Sequence, residues 1–185
     1  AAAQSAGTLA GRVALLAKGG RRAAGEDLTR AVVWFEPAAG APAVRPGQGE
    51  LVTRGKRFEP GVLVVPRGSR VRFPNQDPIL HNVFSISPGN AFDLGLVRRG
   101  ESGATVFATP GVARVFCNVH HDMVAHVVVL DTPWSTRPAA DGTFRLDRLP
   151  DWEGVAQTLR EEVRADDVVV LLSARRGTIA WHPAL

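Results

Sequence analysis

Val115-Phe116-Cys117-Asn118-Val119-His120-His121-Asp122-Met123 decides how the rest of the chain is read. It carries the one cysteine and the one methionine among 185 residues, and two of the five histidines. A thiolate, an imidazole and a thioether in the order Cys-x-x-His-x-x-Met are the soft ligands that copper selects. An electron-transfer copper site takes two His, one Cys and a weak axial Met. The second imidazole has to come from elsewhere in the fold. His81, in Phe73-Pro74-Asn75-Gln76-Asp77-Pro78-Ile79-Leu80-His81-Asn82-Val83-Phe84-Ser85, is the candidate.

The text around these residues predicts how they meet. From 50 to 132, short apolar runs alternate with turn residues, the pattern of an all-β sandwich. Strands are expected at 57–58, 62–65, 70–73, 82–87, 105–108, 113–117 and 125–130. Gly68, Pro88-Gly89-Asn90 and Pro110-Gly111 supply the turns between them. Val71 and Phe73 alternate with Arg70 and Arg72, so that strand has one wet face. Cys117 closes one strand, a short ligand loop follows, and Ala125 begins the next. His81 stands at the start of another strand.

Composition narrows the functional classes. The net charge of +4 is spread along the chain, and no Lys/Arg run exceeds two, so binding to nucleic acid is unsupported. There is no uncharged apolar stretch of 18 residues, so no membrane-spanning helix is expected. A single cysteine excludes an internal disulfide and multi-cysteine zinc sites. An oxidase or nitrite reductase would need a further histidine cluster for a second copper centre. The three spare histidines fall in no paired motif, and the chain is not expected to be an enzyme. A copper-handling protein, a periplasmic chaperone or resistance factor using the same ligands, is the alternative. Such proteins usually carry Met-rich or His-rich tracts.

Residues 50–132 resemble the cupredoxins, in particular the amicyanin- and plastocyanin-like proteins and the methylamine-utilisation type. The resemblance rests on Phe58-Glu59-Pro60, on Val64-Val65-Pro66-Arg67-Gly68-Ser69-Arg70-Val71-Arg72-Phe73-Pro74-Asn75 and on Asp77. It continues in His81-Asn82-Val83, Phe92-Asp93-Leu94-Gly95, Pro110-Gly111 and Cys117-x-x-His120-x-x-Met123. It implies a Greek-key β-sandwich and one copper ion per chain, cycling between Cu(I) and Cu(II). The ligands it implies are His81, Cys117, His120 and Met123. It also implies a type-1 (blue) one-electron carrier, exported to the periplasm, that meets a redox partner transiently. Ala1-Ala2-Ala3-Gln4-Ser5 fits the remainder of a cleaved signal peptide. Asn82 is expected around the ligands: its backbone N–H is placed to donate to the Cys117 sulfur, and its side chain could pin the two ligand loops together. His121 departs from the amicyanin-like loop and is read as an exposed neighbour of the ligand.

The flanks are read as a segment 1–49 and a segment 133–185, on either side of a 50–132 domain. Leu9-Ala10-Gly11-Arg12-Val13 with Ala31-Val32-Val33, and Asp141-Gly142-Thr143-Phe144-Arg145-Leu146-x-x-Leu149-Pro150, resemble the two ends of a carboxypeptidase-regulatory-like β-sandwich. The fold class expected is therefore mainly β, with a small additional β-rich region built by both termini. Residues 38–49, rich in Ala, Pro and Gly, read as a loop. Trp152, Val155, Ala156, Leu159 and Val163 fall at helical spacing, which predicts one helix near 152–165 with Asp151 as its N-cap.

Overall fold

The computed structural model describes residues 7–16, 28–36, 42–149, 163–164, 171–175 and 178–180. The chain divides into two compact units, residues 43–131 and residues 1–42 with 132–185. No helix among the described residues is long and apolar enough to cross a membrane.

The 43–131 unit holds ten strands: β1 Gln48–Glu50, β2 Val52–Arg54, β3 Arg57–Glu59, β4 Val62–Pro66, β5 Ser69–Pro74, β6 His81–Ser85, β7 Phe92–Val97, β8 Ser102–Phe107, β9 Gly111–Phe116 and β10 Val124–Leu130. One sheet has the order β7-β6-β9-β10-β4 and the other β8-β5-β1, while β2 and β3 form a hairpin. The chain passes repeatedly from one sheet to the other, so strands adjacent in sequence often lie in opposite layers. Pairing is antiparallel except for β10 with β4 and β1 with β5, which run parallel.

Side-chain alternation explains the sandwich. In β5, Val71 and Phe73 are buried while Arg70 and Arg72 are exposed. Phe73, Phe107, Val83, Val115 and Val127 come from both sheets and meet in one core. Burying each such side chain contributes about 1.5–3 kcal/mol. The Phe92 ring packs against Phe73 at 5.5 Å and Phe107 at 5.8 Å. β10 is paired on both edges, and its run Ala125 to Leu130 is buried throughout. That is why its sequence is almost continuously apolar rather than alternating.

Three strands of this unit are absent from the sequence expectations. Gln48–Glu50 falls partly in the expected loop 38–49; its pairing comes from β5, not from its own apolar content. Val52–Arg54 is paired by the turn that follows it. In Phe92–Val97 the register shifts between Asp93 and Leu96, and Gly95 has φ +66°, so strand alternation is broken.

In the other unit, Gly7–Arg12 pairs antiparallel with Thr143–Leu149, joining a segment before the sandwich to one after it. Val32–Trp34 lies between Ser135–Thr136 and Leu171–Arg175, which in turn pairs with Thr178–Ala180. Val33, Phe35, Phe144, Leu146 and Leu149 belong to this unit's own core. The chain is thus mainly β, with a small β region contributed by both flanks. Most of the helix expected near 152–165 lies outside the described residues. Its last turn differs, since Val163–Arg164 form a short strand parallel to Leu15–Leu16.

Candidate metal centre

Two segments bring the candidate ligands of the 43–131 sandwich together: the loop after β9 and the start of β6. β9 ends at Phe116, and Cys117 follows at the entrance of a loop that closes when Val124 begins β10. Inside that loop the N–H of Met123 donates to the His120 carbonyl over 3.0 Å, closing a four-residue turn from His120 to Met123. His81 is the first residue of β6 and stands opposite Val97 of β7, so ladder pairing fixes its backbone.

The side chains converge. One ligand atom each from His81, Cys117 and His120 lie within 4.8 Å of one another. Cys117 Sγ is 3.7 Å from His81 Nδ1, and the His81 and His120 rings lie 4.8 Å apart between centroids. A metal–nitrogen and a metal–sulfur bond together span about 4.3 Å, so one ion can touch both atoms of the 3.7 Å pair. His81 and Cys117 are buried, whereas His120 is half-buried. His120 Nδ1 is itself shielded from solvent and finds no hydrogen-bond partner in the protein. A buried nitrogen left this way costs free energy unless something binds it. Met123 is buried at the end of the same loop and belongs to the same core as Cys117. Thiolate, imidazoles and thioether form a soft donor set, and the residues present fit copper.

The electrostatics favour neutral imidazole at the loop position. Burial lowers the His120 pKa, and the neighbouring His81, Lys56 and His121 lower it further against the opposing pull of Asp77. Asp77 itself is held below the usual carboxylate range. Its burial raises the pKa, but the N–H donors of Lys56 and Gly55, together with His81, outweigh the cost of burial.

Asp77 is part of the resemblance but is given no role from the sequence. Its Oδ2 lies 2.9 Å from His81 Nε2, on the side of the ring away from Cys117. The sequence does hold Asp77 four residues before His81, yet nothing in that spacing says the loop turns back on itself. Asn82 differs from expectation. Its Nδ2 donates to Asp93 Oδ1 at 2.7 Å and to the Gly95 carbonyl at 3.2 Å, while Oδ1 is buried without a partner. The side chain therefore braces the irregular part of β7 and does not pin the two ligand loops. The β7 bulge, invisible in the sequence, places those acceptors there. His121 is exposed and stands outside the ligand cluster.

Two β-sheets of five and three strands, with a Cys/His/His cluster set by the loop between the last two strands and by the first residue of β6, make a sandwich of the cupredoxin type. No family model matches the chain, and no curated protein does. Solved structures do. A purple cupredoxin from Nitrosopumilus maritimus shares 24% identity over 44% of this chain and 99% of its own, with a TM-score of 0.41. A reduced Cu(I) form of an amicyanin variant at pH 4 shares 22% over 47% of this chain and 86% of its own, at a TM-score of 0.43. A copper-containing nitrite reductase from Thermus scotoductus shares 26% over 50% of this chain and 24% of its own, at 0.43.

Proposed function

We propose that His81, Cys117, His120 and Met123 bind one copper ion per chain and that the protein is a type-1, one-electron carrier. The observation that carries this reading is the convergence of Cys117, His81 and His120, with His120 Nδ1 buried and unpartnered. Copper bound there would supply the Cu(I)/Cu(II) couple. The chain supplies the rest. Cys117 offers the thiolate, the two imidazoles offer neutral nitrogen, and Met123 offers a weak thioether from within the core. This mixture partly suits both oxidation states, and the packed core beneath it lets little move between them.

Access to the centre supports a carrier rather than an enzyme. Cys117, His81 and Met123 are shut away from solvent, and only the loop imidazole is half-exposed. Electrons therefore pass through the edge of His120. Val119, 46% exposed, precedes His120, while Ile79 and Leu80, 37% and 42% exposed, precede His81, whose ring lies close to that of His120. These three make an apolar rim suited to brief docking with a redox partner. Met123 is buried and takes no part in that rim. With this reading goes an exported, periplasmic setting.

The test is optical. Addition of Cu(II) should give an intense thiolate-to-copper visible band that bleaches with a mild reductant and returns on oxidation. A colourless complex, or one reduced irreversibly, would count against electron transfer.

A further inference from the structure

We propose that Asp77 is the positioning residue of the metal centre: its carboxylate, gripped by the Gly55–Lys56 turn, fixes the His81 ring so that Nδ1 faces Cys117, and thereby sets the reduction potential. The inference rests on the copper reading above and adds a determinant to it. Its basis is a continuous chain of short contacts reaching outward from the ligand.

At the centre of the chain, His81 Nε2 lies 2.9 Å from Asp77 Oδ2 and Nδ1 lies 3.7 Å from Cys117 Sγ. Asp77 Oδ1 accepts the Gly55 N–H at 2.6 Å and Oδ2 accepts the Lys56 N–H at 2.8 Å. A carboxylate that accepts from this many donors is ionised and has no proton to give. The hydrogen between Asp77 and His81 therefore sits on Nε2, and the lone pair is left on Nδ1, towards the sulfur.

Further out, the grip is built to be stiff. Gly55 and Lys56 have φ of 59° and 57°, the left-handed pair of a tight two-residue hairpin turn, which presents both N–H groups to Asp77. The Asp77 N–H donates to Asn75 Oδ1 at 2.9 Å. Asn75 Nδ2 then donates to the carbonyls of Ile79 and Val97, at 2.8 and 2.9 Å. The loop 75–80 is thus tied to the β2–β3 hairpin and to β7. His81 is 0% and Asp77 6% exposed, so water screens the carboxylate little. A fixed negative charge touching a ligand stabilises the more oxidised ion over the less oxidised one. Asp77 should therefore hold the potential down.

Two measurements decide the proposal. The first uses the native metal-free protein and nitrogen NMR of the imidazoles. His81 is expected as the Nε2–H tautomer with a slowly exchanging proton. An Nδ1–H tautomer would overturn the proposal. The second compares copper-loaded native protein with Asp77→Asn and Asp77→Ala. The two Asp77 variants should keep the thiolate band, bind Cu(II) about 10–100-fold more weakly, and show a raised potential. Each tenfold loss of Cu(II) over Cu(I) affinity appears as a rise of about 59 mV. Unchanged affinity and potential in Asp77→Asn would overturn the role. If native protein gives no thiolate–copper band, the copper reading has failed, and the tautomer still decides whether Asp77 orients His81. The tautomer also decides the matter if an Asp77 variant does not fold.

Discussion

The four candidate ligands act through different atoms, and single substitutions should separate them. Met123 lies in the core beneath Cys117, and a soft thioether there helps hold Cu(II). Met123→Leu should keep the visible band and raise the potential, by about 59 mV for each tenfold loss of Cu(II) over Cu(I) affinity. A fall in potential, read by cyclic voltammetry, would show that Met123 is not a ligand. His120 and His121 are adjacent in sequence but differ in place, the first in the cluster and the second exposed. His120→Ala should abolish the native spectrum and His121→Ala should leave it nearly intact; the opposite pattern in visible and EPR spectra would exchange their roles. At this scale the sequence was informative because the ligand types are scarce: one Cys, one Met, and a His two residues beyond Cys-x. Asp77 was not legible, because its meaning depends on backbone donors 21 and 22 residues away.

At the scale of elements, legibility followed alternation. β5 was visible because Val71 and Phe73 face inward between exposed arginines, whereas β1 and β7 owe their strand character to their neighbours. Phe73 is fully buried between the sheets, so Phe73→Ala should cost about 3–5 kcal/mol in urea unfolding of the metal-free protein. A loss under about 1 kcal/mol would mean that the two sheets do not share this core. In the other unit the turn before Thr143–Leu149 is closed by Asp141. Its carboxylate accepts the Thr143 hydroxyl at 2.7 Å and the Thr143 N–H at 2.9 Å. The Thr143 hydroxyl, then the Thr143 N–H, and more weakly Arg12 lower the Asp141 pKa, against a small opposing effect of desolvation. A depressed folded-state pKa means stability that is present above the unfolded value of about 3.9 and is lost as pH falls through the folded one. Asp141→Ala should therefore lower the melting temperature at neutral pH, and the gap from native should narrow in acid. A gap that stays constant from neutral to strongly acidic solution would contradict this.

For the whole molecule, the proposed path for electrons runs past the apolar rim, because the other candidate ligands are shielded. Val119→Lys places a charge on that rim without touching a ligand atom. It should slow self-exchange or partner exchange several-fold while the potential stays close to native; stopped-flow rates equal to native would put docking elsewhere. The flanking unit was legible in part. The resemblance placed Leu9–Val13 and Asp141–Pro150 in one small β region, but the register that pairs Gly7–Arg12 with Thr143–Leu149 was not legible. Everything proposed about function depends on one copper bound through Cys117. The most direct measurement is a titration of metal-free protein with Cu(II), followed at the thiolate-to-copper band, in the native protein and in Cys117→Ser. The account predicts a band that saturates at one equivalent in the native protein and is absent from Cys117→Ser, which has no other thiol. An equally intense band in Cys117→Ser, or none in the native protein, would contradict it.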